Sequence, residues 1–331
     1  APFGHGLSIG AIVGTLLPMG MIILLAAGWI YQGHALPTHL DWQHWTPDFS
    51  QSHSYPFLVA IIFGLIGIEM SAVHADEVIE PRKTYPRAMV LSITMILTSL
   101  INASLAIALI VPHDSLNVMV GLSQAFEAFL SHSSIPWLSP VLSTLVIVGG
   151  LGSVATWIIG PTKGLLIASQ DGCAPSFFGH TNDKGVPVNI LLLQAGICSM
   201  LSLLFLFLPS VASTYELLTM ITTQLALVVY LLLFASAIKL RQTRPEHTEG
   251  FRIPGGALGF GLVCLVGIGT TLAVIAMGFT RPEALETVPY TTYLSYLLIG
   301  LACLVLPPFV IYHHTQTQRH DQRTPHNLDP L

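Results

Sequence analysis

Eight long stretches of this chain contain no Asp, Glu, Lys or Arg. Each is long enough to hold a helix that crosses a lipid bilayer, which takes about 20 residues. Only 9% of the 331 residues are charged and 52% are hydrophobic, whereas a soluble domain has about 25% charged residues. This composition excludes a water-soluble globular protein. The uncharged stretches are residues 1–40, 49–68, 88–113, 128–162, 185–215, 217–238, 253–280 and 287–318.

The pattern of these stretches favours helices over a transmembrane barrel. Backbone groups in lipid must be satisfied within the protein, and the stretches lack the period-2 alternation of barrel strands. We therefore predict an all-α polytopic membrane protein with eight transmembrane helices. The predicted spans are residues 7–30, 56–79, 87–111, 137–168, 188–208, 213–239, 257–279 and 290–312.

The basic residues predict an orientation. On an alternating eight-span path, Arg281 falls on one side, Lys163 lies within a span, and the other ten Lys and Arg fall on the opposite side. Basic residues near span ends mark the cytoplasmic face. We therefore expect both ends of the chain in the cytoplasm. The ten residues are Arg82, Lys83, Arg87, Lys184, Lys239, Arg241, Arg244, Arg252, Arg319 and Arg323.

The cysteines and the charge pattern indicate neither a metal or cofactor site nor a nucleic-acid partner. The four cysteines occur singly with no CxxC pair, so neither a zinc site nor a disulfide framework is predicted. No cofactor and no nucleic acid are expected. The chain begins at Ala1 without a basic segment before its first apolar run. This start argues against a signal peptide, and we expect a truncated parent chain.

The second predicted span contains a carboxylate near mid-membrane. Glu69 follows Gly64 and Gly67 in the sequence FGLIGIEMSAVHADEVIE. A carboxylate at this depth is costly unless it faces a cavity or a partner. Glycine weakens a helix, so we predict an interruption of the helix near Gly67 and Glu69. Transporters hold charged substrate groups at the ends of interrupted helices of this kind. The alternative is a paired structural carboxylate in a continuous helix.

The polar residues that follow Glu69 have two interpretations. His74, Asp76, Glu77 and Glu80 have the residue types of a metal cluster, but their spacing matches no HExxH helix or EF-hand loop. A solvated helix end with salt bridges, running into Pro81-Arg82-Lys83, is favoured.

The fourth predicted span surrounds Trp157 with small residues. Small residues let helices approach closely in lipid, so Trp157 either packs there or stacks over a ligand and closes a path. Gly160-Pro161 predicts a kink. Lys163 either extends to the cytoplasmic interface or lies in the permeation path.

Four segments of the chain resemble the amino acid/polyamine/organocation (APC) transporter superfamily, and more narrowly the bacterial glutamate:γ-aminobutyrate antiporters of acid resistance. They occur in the same order as in the family. The segments are GIEMSAVHADEVIEPRKTYPRAM at 67–89, TWIIGPTKGLLIASQDG at 156–172, KGVPVNILLLQ at 184–194 and FRIPGG at 251–256.

The resemblance implies a leucine-transporter-like fold of twelve helices with a five-plus-five inverted repeat, of which this chain would form the C-terminal two-thirds. Residues 1–55 would hold span five and an external loop, and residues 56–240 the second repeat, spans six to ten. Residues 241–312 would hold spans eleven and twelve, and residues 313–331 a cytoplasmic tail. The missing N-terminal helices of the same protein and the lipid bilayer are the expected partners.

The resemblance also implies roles for single residues. Gly67, Ile68 and Glu69 match the unwound substrate-binding segment of span six, where Glu69 is also implicated in proton sensing. Trp157 matches an aromatic gate, and Tyr230 matches an aromatic position that lines the path. Phe234 stands where the glutamate:γ-aminobutyrate antiporters are expected to have tyrosine. The gate or path candidates are Trp157, Lys163 and Phe234.

These matches predict a secondary amino acid antiporter of the bacterial inner membrane that works by alternating access and takes an amino acid and protons. An arginine:agmatine exchanger is the alternative substrate class. A non-transporting remnant or partner subunit is a second alternative. An intramembrane enzyme is disfavoured, because the sequence has no HExxH motif.

Overall fold

The computed structural model describes residues 2–34, 54–70, 78–112, 120–131, 135–243 and 253–323. Regular structure in these residues is entirely helical, which confirms the predicted all-α class. The α-helices of the described residues are α1 (Pro2–Tyr31), α2 (Tyr55–Phe63), α3 (Pro81–Ile110), α4 (Gly121–Leu130), α5 (Leu138–Gln170), α6 (Val188–Ser202), α7 (Val211–Thr243), α8 (Gly256–Met277) and α9 (Tyr290–Arg323).

Seven helices in the described part of the chain are long and apolar enough to cross a membrane. They are α1, α3, α5, α6 with the 3₁₀ turn that follows it, α7, α8 and α9. The remaining predicted span, residues 56–79, contributes a shorter apolar segment, Tyr55–Met70. The multi-pass character is thus confirmed, whereas the count of eight spans stays a prediction.

The helices differ from the predicted spans at several places, of which three follow. The predicted loop at 112–136 contains α4, whose buried Ala125, Phe126, Phe129 and Leu130 recur at helical spacing. Helix α3 begins at Pro81 rather than near residue 87, because proline fits the first turn of a helix. Helix α9 continues past the predicted end at 312 to Arg323.

The chain divides into two compact units. Unit 1 comprises Ala1–Pro47 and Thr84–Gly160, and unit 2 comprises Asp48–Lys83 and Pro161–Leu331. The core of unit 1 is built where small residues of α1 and α3 meet larger apolar residues of α4 and α5. Trp29 of α1 meets Phe129 of α4 edge to face, with ring centroids 5.6 Å apart. The buried core residues of unit 1 are Ile22, Ala26, Ala103, Ala106, Ile110, Val111, Ala125, Phe126, Phe129, Leu130 and Leu142.

Helices α1 and α5 approach each other backbone to backbone within unit 1. The backbone of Gly14 lies where a Cβ atom on Gly149 would be placed, and the backbone of Gly149 likewise blocks a Cβ on Gly14. Close approach through small residues is the usual packing mode of helices in lipid. Gly149 therefore lies at a helix–helix contact, whereas a Cβ on the adjacent Gly150 would meet nothing within 4 Å.

We expect Gly149→Ala to lower the free energy of unfolding by about 1–3 kcal/mol, because the added methyl group overpacks the contact with Gly14. Gly150→Ala is the matched control, and its added methyl group meets open space. It should leave stability unchanged or raise it slightly, because alanine favours helix more than glycine. Unfolding of the purified protein by SDS in mixed micelles measures both values. Equal effects of the two substitutions would contradict this account of the contact.

Helix α7 is the centre of unit 2. It contacts α2, α8, α9 and the 3₁₀ turn Glu283–Leu285. Its buried polar side chains have partners: Thr223 donates to the carbonyl of Thr219 over 2.7 Å, and Gln224 Nε2 donates to the carbonyl of Ile275 in α8 over 3.0 Å. The buried apolar residues around it are Val59, Leu208, Leu217, Met220, Ile221, Leu227, Val274, Leu285, Val288, Tyr293 and Leu297.

The connection between α8 and α9 is fixed to α7 by polar contacts. Ser213 Oγ donates to the carbonyl of Ala284 over 2.6 Å, and the Ala284 N–H donates to Glu216 Oε2 over 3.2 Å. The buried Tyr293 hydroxyl donates to the carbonyl of Gly278 over 2.9 Å. Arg281 Nη1 donates to the carbonyl of Val288 over 2.7 Å. Backbone groups of this irregular segment are thus satisfied by neighbouring helices and by the segment itself.

Candidate functional site at the interrupted helix

The apolar segment Tyr55–Met70 is not one continuous helix. Helix α2 ends at Phe63, and the next N–H groups, of Leu65 and Ile66, donate three residues back over 2.9 and 3.2 Å. Gly67 then has φ +107°, a conformation that glycine adopts readily and side-chain-bearing residues rarely do. A short 3₁₀ turn follows, in which the Met70 N–H donates to the carbonyl of Gly67 over 3.1 Å. The interruption predicted near Gly67 and Glu69 is present.

The carboxylate of Glu69 is held at this interruption by two hydrogen bonds. The backbone N–H of Gly67 donates to Glu69 Oε2 over 3.1 Å. The hydroxyl of Tyr230, from the middle of α7, donates to the same oxygen over 2.8 Å. Hydrogen bonds to an ionised acceptor are stronger than neutral ones. The two donors therefore fix the carboxylate between the broken segment and α7.

Both hydrogen bonds that Glu69 accepts in the described part of the chain come from neutral donors. The side chain is partly buried. A carboxylate that is partly withdrawn from water and held by neutral donors is suited to bind a ligand ammonium group. The geometry thus provides a site for one positive charge.

Helix α7 connects this site to a third element, α8. One turn along α7, the ring of Phe234 lies where a Cβ atom on Gly267 of α8 would be placed. Sequence reasoning assigned no role to Gly267. The sequence feature that points to Gly267 is the recurrence of glycine along the apolar helix α8, at Gly261, Gly267 and Gly269. Phe234 therefore packs on the backbone of α8 at a position that only glycine leaves open.

The structure brings together four of the candidate residues. Gly67, Ile68, Glu69 and Tyr230 meet at the interruption in unit 2. Trp157 belongs to unit 1, where its side chain is 49% exposed. Lys163 lies partly buried beyond Pro161, and α5 is helical throughout Leu138–Gln170 despite that proline.

The polar segment after Glu69 is described only in part. His74, Asp76 and Glu77 lie outside the described residues. Glu80 accepts a hydrogen bond from Lys83 Nζ over 3.1 Å, and both side chains are well exposed, which agrees with the favoured salt-bridged helix end. In the described ranges no group of three His, Cys, Asp or Glu residues is placed to hold a metal ion.

Comparisons with known proteins agree with the resemblance. A sequence profile of the amino acid permease family matches residues 6–302. The chain is 41% identical over 315 residues to an uncharacterized transporter of Legionella pneumophila, covering 95% of this chain and 67% of that protein. It is 26% identical over 315 residues to a glutamate/gamma-aminobutyrate antiporter of Lactococcus lactis, covering 94% of this chain and 63% of that protein.

A third relative has a different named substrate pair. The chain is 22% identical over 268 residues to a probable agmatine/putrescine antiporter of Lactococcus lactis, covering 80% of this chain and 57% of that protein. The chain spans about two thirds or less of the length of these relatives. Because the family profile covers most of its residues, the chain belongs to the amino acid permease family of the APC superfamily.

Proposed function

We propose that the protein is a secondary amino acid antiporter of the glutamate:γ-aminobutyrate type, with the substrate bound at the interrupted segment Tyr55–Met70. The observation that carries the proposal is the pair of hydrogen bonds from Gly67 and Tyr230 to Glu69. Support for the substrate class comes from the Lactococcus lactis relative named a glutamate/gamma-aminobutyrate antiporter. Arginine:agmatine exchange is the alternative, supported by the relative named for agmatine and putrescine.

The chemistry of the site suits an amine-bearing substrate. Glutamate and γ-aminobutyrate both carry an ammonium group, which a partly buried carboxylate binds well. Transporters place substrates at discontinuous helices, where backbone ends and ionisable side chains meet near the membrane midplane. We assign Glu69 to the ammonium group or to a proton, and Gly67 and Ile68 to the backbone contacts. Tyr230 orients the carboxylate.

The architecture that goes with this function is the five-plus-five repeat. In it, residues 1–55 hold span five, residues 56–240 form the second repeat, and residues 241–312 form spans eleven and twelve. The greater length of the relatives is in keeping with this assignment. The distribution of Lys and Arg supports an orientation in a bacterial inner membrane with both ends of the chain on the cytoplasmic side.

Counterflow in liposomes tests the function. The full-length gene product is reconstituted in liposomes that are preloaded with unlabelled γ-aminobutyrate. The uptake of labelled glutamate is then followed. We expect uptake well above that of protein-free liposomes, and little uptake when arginine and agmatine replace this pair. Exchange of arginine for agmatine alone would move the protein to the alternative substrate class. A folded protein that exchanges neither pair would contradict the proposed substrate class.

The contact between Tyr230 and Glu69 predicts a specific transport defect. Tyr230→Phe removes one charge-assisted hydrogen bond, and we expect it to lower the exchange rate by roughly tenfold, which corresponds to about 1.4 kcal/mol. Tyr215→Phe is the matched control, because Tyr215 is on the same helix and 41% exposed. It should exchange at the wild-type rate. Equal rates for the two variants would show that the contact is not part of the transport site.

The proton role of Glu69 predicts the loss of pH dependence. Glu69→Gln keeps the size of the side chain but cannot be protonated or ionised, so its exchange rate should vary much less with pH than that of the wild-type protein. A His313→Asn, His314→Asn double variant tests the tail in parallel. An unchanged pH profile in Glu69→Gln would remove Glu69 as the sensor, and a change in the histidine variant alone would place it in the tail.

The gate assigned to Trp157 predicts a graded effect of ring size. Trp157→Ala should slow exchange by roughly tenfold, whereas Trp157→Phe should be milder. Because Trp157 is 49% exposed, neither change should impair folding. Trp137→Ala is the control, since Trp137 is 65% exposed and immediately precedes α5. Near-wild-type exchange rates in both Trp157 variants would show that Trp157 has a packing role and does not act as a gate.

A further inference from the structure

Side chains of α7 meet the chain of α8 at two glycines. A Cβ atom on Gly267 would meet the ring of Phe234, with Cε1 at 2.7 Å and Cε2 at 2.8 Å. A Cβ atom on Gly278, directly after α8, would meet the side-chain amide of Gln224, which donates to the carbonyl of Ile275 over 3.0 Å. The two contacts lie about three turns apart on each helix. They therefore fix both the distance between α7 and α8 and the register of one helix against the other.

Tyr230 lies on α7 between these two contacts, one turn before Phe234. Its hydroxyl donates to Glu69 Oε2 over 2.8 Å. A hydrogen bond is lost once its donor and acceptor are about 3.6 Å apart, so a displacement of α7 by roughly 1 Å away from the broken segment ends this contact. The hydrogen bond to Glu69 therefore depends on where α8 holds α7.

Gly267 differs from the neighbouring glycines of α8 in what surrounds it. Glycine weakens a helix, because alanine favours the helical conformation more. This cost applies equally at Gly261 and Gly269, where a Cβ atom would meet nothing within 4 Å. At Gly267, by contrast, the ring of Phe234 takes the place of a side chain. The distinguishing property of Gly267 is thus the seat that it leaves for this ring.

A methyl group added at position 267 leaves the Phe234 ring two ways to move. The ring is rigid and its side chain turns about only two bonds, so either α7 moves away from α8 or the ring rotates out of its seat. The open groove next to the ring is lined by Tyr230 of α7 and by Ile66 of the broken segment. A ring that rotates into this groove meets Tyr230, and a displaced α7 carries Tyr230 with it. Both movements change the surroundings of the Tyr230 hydroxyl.

We propose that Gly267 is a positioning residue of the transport site. By leaving a seat for the Phe234 ring, it holds α7 at the distance from α8 at which the Tyr230 hydroxyl reaches Glu69. The role of Gly267 in transport rests on the proposed function, which assigns the substrate to Glu69. The dependence of the hydrogen bond between Tyr230 and Glu69 on Gly267 is a property of the fold, and it is measured without a substrate.

Fluorine NMR measures this hydrogen bond without a transported substrate. A 3-fluorotyrosine is placed at position 230 of the full-length gene product by amber suppression, and the protein is reconstituted in nanodiscs. Glu69→Gln then gives the change in the fluorine resonance that belongs to the contact with the carboxylate. With Gly267→Ala, we expect this change to fall to roughly half or less, because the hydroxyl no longer reaches Glu69. Gly269→Ala is the matched control and should keep the full change, since its methyl group meets open space.

A Phe234→Leu background shows whether the ring transmits the effect. Leucine lacks the ring atoms that a Cβ atom at position 267 would meet. In this background Gly267→Ala should therefore cause no further loss of the resonance change, since only residues in contact are non-additive. Phe234→Leu also tests the seat when Gly267→Ala does not fold, because it empties the seat instead of overfilling it. We expect Phe234→Leu by itself to lower the resonance change, to a lesser degree than Gly267→Ala.

Exchange in liposomes measures the consequence for transport. Gly267→Ala should lower the exchange rate by roughly tenfold, the effect expected from the loss of the Tyr230 hydroxyl. Added to Tyr230→Phe, it should lower the rate by less than about twofold further, because the contact with Glu69 is already lost. A general structural defect would instead multiply the two losses. Gly269→Ala should exchange at the wild-type rate.

The outcomes separate this inference from the proposed function. Size-exclusion profiles first show which variants are folded. A full resonance change in a folded Gly267→Ala or Phe234→Leu protein would overturn the inference, as would equal losses in Gly267→Ala and Gly269→Ala. A reduced resonance change together with a wild-type exchange rate would overturn the role in transport. A wild-type protein that exchanges neither substrate pair but shows the expected resonance changes would contradict the proposed function alone.

Discussion

Backbone hydrogen bonding in a medium without water is the constraint on which this structure depends. It explains why the long uncharged stretches are helices, and why the irregular stretch of apolar chain that follows α2 must be satisfied locally. At that point the N–H groups of Leu65 and Ile66 donate three residues back, and the Gly67 N–H donates to a carboxylate oxygen. Glu69 thus completes the backbone bonding of the break that contains it. The candidate site and the interruption are two aspects of one arrangement.

Helix α7 carries this arrangement into the rest of unit 2. Its residues contact the broken segment through Tyr230, α8 through Phe234 and Gln224, and the α8–α9 connection through Ser213 and Glu216. A displacement of α7 therefore alters the partner of the carboxylate and the packing of α8 together. Polar residues inside this helix serve as interhelical contacts, which lipid-embedded helices use in place of a hydrophobic driving force.

The helices and the broken segment could be predicted because composition and residue type determine them directly. The length of the uncharged stretches predicts the long helices, and the occurrence of Glu69 after Gly67 predicts the interruption of the apolar segment. Contacts that depend on the rotation of a helix could not be predicted. Gly149 and Gly150 are adjacent in an apolar helix, and only the coordinates show that the first meets Gly14. Successive residues differ by about 100° around a helix, and a helix that is apolar all round gives no sign of which face is packed.

The same reasoning explains why the site was found only in part. Tyr230 was identified through the family resemblance, but its partner was not, since 161 residues separate it from Glu69. Gly267 had no signal beyond a glycine-rich helix, although it determines where Phe234 lies. Long-range contacts of this kind are set by how helices are arranged, which single-helix periodicity does not encode.

The way in which Glu69 is held has a consequence for coupling under the proposed function. Both described hydrogen bonds end on Oε2, so a proton or a substrate ammonium group is best placed on Oε1, where it displaces neither donor. A proton on Oε1 removes the negative charge that attracts the ammonium group, and a bound ammonium group opposes protonation. Proton and substrate then compete for one oxygen, and by linkage each lowers the affinity for the other to the same degree. Tyr230 and Gly67 favour this competition because they hold Oε2 in place while Oε1 changes its partner.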